Sequence, residues 1–125
     1  MGNRANLGLK IDDNNTIVLY QHWAPEKLMR QYANALLIAA PRWHDPNYGA
    51  RIVISQVISS DWDTETGYGL SVNTVLDNEH HVVVIDFTTQ QVHLLDGEDV
   101  VNPTIKVSWT FSKFCTKYAD SLVPA

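Results

Sequence analysis

The chain has 125 residues, 45% of them hydrophobic and 18% charged, which suits one globular domain and excludes a disordered segment. A net charge of −5 with nine basic residues excludes a broad electrostatic hold on nucleic-acid phosphates, so a basic protein is the expected partner and direct nucleic-acid binding is not. Cys115 is the sole cysteine and no apolar run reaches the ~20 residues of a membrane span, which argues against a disulfide framework and membrane insertion and makes the cytoplasm the expected compartment.

From Asn6 to Ile11, Leu7, Leu9 and Ile11 alternate with Gly8 and Lys10, the pattern of a strand with one buried face. Asp12-Asp13-Asn14-Asn15 breaks the alternation, and the β-branched and aromatic run Thr16 to Trp23 follows, so the two runs are expected to form an antiparallel hairpin. Pro25 and Glu26 mark a helix start, after which Leu28, Met29, Tyr32, Leu36, Leu37 and Ala40 recur at helical spacing, predicting a helix from about Pro25 to Ala40. Pro41 ends it, and Arg42 to Asn47 reads as a polar connection interrupted by Pro46. Residues 48–60, with Ile52-Val53-Ile54 and Val57-Ile58, fit a buried helix or a buried strand. Their length, and Asn47 as a cap, favour the helix. Asp61 to Gly69 is a loop.

Leu70 to Val75, His81 to Phe87 and Gln91 to Leu95 are strand-like, and the short connections 77–79 and 88–90 predict an antiparallel meander. After the acidic loop Asp96 to Pro103, Ile105, Val107 and Trp109 suggest an edge strand, which offers a route to a homodimer through pairing with a second copy. Phe111, Phe114, Cys115 and Tyr118 have helical spacing, with Ser108 or Thr110 as the cap. The order β-β-α-α-β-β-β-(β)-α across residues 1–125 predicts a single-domain α+β fold, an antiparallel sheet with helices packed on one face.

Three of the four tryptophans sit in polar clusters: His22-Trp23, Arg42-Trp43-His44-Asp45 and Asp61-Trp62-Asp63. An indole flanked by charge at the end of an apolar run offers a contact face and one N–H donor to a partner, or closes the edge of the core while its neighbours face water. Acids are concentrated in three loops, at Asp61, Asp63 and Glu65, at Asp77 and Glu79, and at Asp96, Glu98 and Asp99. Sharing one face, they would form a negative surface able to occupy the basic channel of a nucleic-acid enzyme; acidic loops also simply favour solubility.

Neither a metal nor a cofactor is expected. The five histidines lack the i,i+4 spacing of a helical zinc site, and Asp61, Asp63 and Glu65 match a calcium loop poorly because Thr66 and Val72 stand where glycine and glutamate belong. No nucleophile elbow or phosphate loop is present, and Cys115 falls on the inner face of the last helix, where it serves as a small hydrophobe. A ligand pocket is a separate expectation. Asn3-Arg4, His22-Trp23 and the segment Arg42 to Arg51 would, if they converge, supply donors and stacking faces for a phosphate- or carboxylate-bearing ligand, with His22 or His44 as base and Asp45 or Asp77 to orient it. The simpler alternative has Arg4 and Arg51 pairing with Asp45 or Asp77.

The opening Met1-Gly2-Asn3-Arg4-Ala5-Asn6, the segment Leu19 to Trp23, the segment Arg42 to Ile52, Thr66-Gly67-Tyr68-Gly69 and Asp77-Asn78-Glu79-His80 resemble a family of small uncharacterised bacterial and bacteriophage proteins. The resemblance carries no established activity. It implies a mobile-element or accessory role in a bacterial cytoplasm. Together with the missing catalytic signatures, the expectation is a non-enzymatic binding protein that engages a host protein, an anti-CRISPR-like inhibitor of a nucleic-acid-processing defence complex. Its expected binding residues are Asn3, Arg4, His22, Trp23, Arg42, Trp43, His44, Asp45, Arg51, Asp61, Trp62, Asp63, Asp77 and Glu79. The alternative is a small-molecule binder or hydrolase with a His/Arg/Asp pocket.

Overall fold

A computed structural model describes residues 3–120; Met1 and Gly2, the start of the N-terminal hexapeptide, lie outside the described residues. Six strands form one sheet in the order β3-β2-β1-β4-β5-β6: β1 (Ala5–Lys10), β2 (Thr16–Gln21), β3 (Tyr68–Val72), β4 (Val83–Asp86), β5 (Gln91–Leu95) and β6 (Ile105–Thr110). Three helices, α1 (Leu28–Ile38), α2 (Pro46–Ile58) and α3 (Phe111–Tyr118), cover one face of it, an α+β fold.

The N-terminal hairpin forms as its alternation predicts, with Leu7 opposite Leu19 and Leu9 opposite Ile17. Asp12 closes it, its carboxylate accepting from the backbone N–H of Asn14 at 2.8 Å and from the Asn15 amide at 3.0 Å. Half of the expected meander forms: β4 and β5 pair antiparallel across the 88–90 connection, but β3 does not pair with β4. β3 pairs with β2 at one edge, while β4 pairs with β1 in parallel, making the sheet mixed. Residues 73–82 are therefore a crossover and not a hairpin loop. The side chain of the buried Asn6 holds that crossover, donating to the carbonyls of Leu76 (3.3 Å) and Asp77 (3.2 Å) and accepting from the Leu76 N–H (3.1 Å). β1 is consequently buried on both faces. A second, smaller apolar cluster of Val18, Val82, Val84, Leu95 and Val100, with Val75 against it, lies beneath the connections on the face away from the helices.

The larger core lies between sheet and helices: Leu7, Leu9, Leu19, Val83, Ile85 and Val92 meet Tyr32, Leu36, Val53, Val57, Phe111 and Phe114. α1 starts later than its sequence pattern indicates, because Ala24 is tied to Asn3 by hydrogen bonds of 2.8 Å in both directions and the first helical bond runs from Gln31 N–H to the Lys27 carbonyl. Residues 48–60 are helical, but the helix starts at Pro46, with the carboxylate of Asp45, not Asn47, as its cap. Gly49 lets the first turn of α2 pack on Phe87, just past the end of β4: a Cβ there would lie 2.6 Å from the Phe87 ring and 2.8 Å from the Arg42 carbonyl oxygen. Thr110 caps α3 through the Lys113 N–H at 3.1 Å, and β6 is an edge strand with Ile105 and Val107 exposed.

Candidate functional site

β1, β3, β4 and β6 begin at one end of the sheet, where β2 and β5 finish; this lower end collects side chains from distant parts of the chain. The His22 N–H donates to the Gly67 carbonyl (2.9 Å), which joins the β2 end to the 61–67 loop. Arg4 and Glu79 are joined by two hydrogen bonds, the Glu79 carboxylate accepting from the Arg4 N–H (2.9 Å) and the Arg4 carbonyl from the Glu79 N–H (2.9 Å). The Asn78 amide donates to the Glu98 carboxylate at 3.4 Å. Each of these loops is tied to a strand end or a neighbouring loop at the lower end, so the loops bearing Asp61, Asp63 and Glu65, Asp77 and Glu79, and Asp96, Glu98 and Asp99 lie along one end of the sheet.

Two indoles are largely exposed beside the 61–67 loop, Trp23 at 63% and Trp62 at 71%. The Trp23 ring meets the His22 imidazole edge-on (4.6 Å between centroids), and the His22 Nδ1 is 2.7 Å from the Tyr20 hydroxyl. Gly67, at φ +104°, makes the turn against the Trp23 ring. Trp23, Asp61, Thr64, Thr66 and Tyr68 enclose a cleft of about 260 Å³. Burial raises the Tyr68 phenol above its usual range, and the Asp61 charge adds to the effect.

The other expected site residues lie elsewhere. Arg42, Trp43, His44 and Asp45 are at the opposite end, beside Phe87 and Gln90, and Arg51 is on α2 with its guanidinium 3.5 Å from Ser55 Oγ. The 13 residues of α2, about 20 Å of helix, separate that end from the Val57 carbonyl, to which the Tyr68 hydroxyl donates. Asn3, Arg4, His22 and Trp23 thus do not converge with Arg42 to Arg51, and the single pocket that would join them is not formed. Arg4 pairs with Asp77 at 2.6 Å, as the simpler alternative has it; Arg51 does not reach Asp45, whose carboxylate caps α2 and lies 3.9 Å from Arg42. Trp43 closes the core: its indole N–H donates to the Leu36 carbonyl (2.8 Å) and its ring packs edge-on against Phe111 (5.1 Å).

No protein-family model, no curated protein and no solved structure matches the chain.

On the sheet face away from the helices, Asp86, His93 and Ser108 form a hydrogen-bonded chain that the sequence reading missed. His93 Nδ1 is 2.7 Å from Ser108 Oγ and its Nε2 is 3.3 Å from Asp86 Oδ2; the other Asp86 oxygen accepts from the Thr88 N–H (2.9 Å) and hydroxyl (2.6 Å). His93, which alternation places among exposed sheet residues, is buried. Burial alone would raise the Asp86 carboxyl, but hydrogen bonds from His93 and Thr88 and the charge of Lys10 outweigh it and hold the group at about 2. The signal lies in the register, which sets Val84 beside His93 and His93 beside Ser108, and register is not visible before the strands are paired. Cys115 is buried 3.7 Å from the Ala33 carbonyl, and burial pushes its thiol up to about 11, consistent with a packing role. Among the described residues no three His, Cys, Asp or Glu side chains are grouped to hold a metal ion, and no helix is long and apolar enough to cross a membrane.

Proposed function

We propose that this chain is a non-enzymatic binding protein of phage or mobile-element origin whose acidic, tryptophan-bearing end engages a basic surface of a host protein, as an anti-CRISPR-like inhibitor of a nucleic-acid-processing complex would. One observation carries the reading: three acidic loops, separated widely in sequence, lie along the end of the sheet where Trp23 and Trp62 are exposed. Solitary carboxylates are ordinary surface chemistry. Carboxylates strung along one end, with two large, rigid indoles beside the Asp61 loop, combine long-range steering with the side-chain type that dominates interface energetics. The cleft between Trp23 and Asp61 suits a lysine or arginine side chain of the partner, which would meet a ring face and a carboxylate together.

Affinity capture from bacterial lysate, followed by association kinetics with the retained protein, tests this reading. A basic partner whose association slows steeply with added salt is expected, and Asp61→Asn with Asp63→Asn should reduce the association rate by about tenfold. Failure to retain a specific partner, or a rate insensitive to both salt and these substitutions, would overturn the proposal.

A further inference from the structure

We propose that a cavity on the helix side of the lower end binds a small amphipathic carboxylate, an apolar body of medium length carrying one anionic head. The cavity, about 620 Å³, falls within the usual range for small-molecule sites. Its floor is the cross-strand pair Val83 and Leu94, and its apolar walls are Leu28 and Met29 from the first turn of α1 and Tyr118 from the last turn of α3. The site therefore sits where two helices leave a gap over the sheet and not on the acidic rim.

Charge selects the ligand. Lys27, Arg30 and Lys117 line this cavity, three of the chain's nine basic residues, against the single acid Glu26 among its lining residues. Arg30 is engaged by Asp120 at 3.1 Å. Lys27 makes no described side-chain bond, and the Lys117 ammonium lies 5.5 Å from the centre of the Tyr118 ring, at the boundary between the cationic and apolar parts of the lining. Two ammonium groups beside an apolar floor, in a chain of net charge −5, match a ligand with an anionic head and a hydrocarbon body. A neutral apolar molecule would leave the ammonium groups unused, and a bare anion would leave the floor unused.

The test is titration of the full chain with octanoate, octan-1-ol and acetate, followed by amide shifts in two-dimensional NMR. Octanoate should saturate with shifts centred on Leu28–Arg30, Val83, Leu94 and Lys117–Tyr118, about tenfold more tightly than octanol, and acetate should not compete. Lys27→Gln with Lys117→Gln should remove that tenfold preference and leave octanol binding unchanged, while Met29→Trp should weaken both by filling the cavity from its wall. Retained peak dispersion shows that the variants fold. Shifts centred elsewhere, equal affinity for octanoate and octanol, acetate competing as well as octanoate, or a preference that survives loss of both lysines would each overturn the proposal.

Discussion

Trp43→Ala is expected to destabilise the fold by about 2–4 kcal/mol and to lower the melting temperature by on the order of 10 °C, without weakening partner binding per folded molecule. Two interactions are lost together: the indole N–H bond to the Leu36 carbonyl near the end of α1, and the edge-on packing against Phe111, which itself meets the Phe87 ring at 5.3 Å. The truncation opens a void between α1 and α3 and leaves a helix-terminal carbonyl without its side-chain donor. Thermal melting combined with binding measured on the folded fraction separates the effects. A loss of binding with unchanged stability would instead place Trp43 in the interface.

His93→Leu should cost about 2–4 kcal/mol, because it removes a hydrogen-bond partner of the buried Asp86 carboxylate and leaves Thr88 to hold the charge. The same network gives stability a pH dependence. The Asp86 carboxyl is held at about 2 in the fold, below its ordinary value of 3.8, so on acidification the unfolded chain takes up the proton first. The stabilisation is fully present above pH ~4 and lost as pH falls toward 2. Denaturant unfolding of wild type and Asp86→Asn across that window checks the sign: wild type should lose about 2 kcal/mol that the variant, already weaker at neutral pH, does not. Parallel profiles for the two proteins would contradict it.

The parts of the fold legible in the sequence are those set by short-range pattern. The alternation of Leu7, Leu9 and Ile11, the Asx-rich turn at residues 12–15 and the helical spacing after Leu28 each reflect one face meeting the core. The misread parts depend on distant partners. Asp77-Asn78-Glu79 looks like a hairpin connection, but the Asn6 amide fixes residues 76–78 across the sheet, so β3 and β4 end up apart. Pro46 reads as an interruption until Asp45 is seen capping the helix it opens. The gathering of acids at one end was expected as a condition and follows from where the strands start and stop, whereas the positions of Arg42 to Arg51 relative to His22 depend on the direction in which α2 runs. His93 on β5 and Asp86 on β4 gain their meaning only from register.

The measurement that bears most directly on recognition by the lower end is the affinity of a captured host partner for wild type and for Trp23→Ala with Trp62→Ala, with melting temperature recorded alongside. Both indoles are mostly exposed, so stability should stay within about 1 kcal/mol of wild type while affinity falls by about a hundredfold or more. Undiminished affinity in the folded double variant would contradict the account.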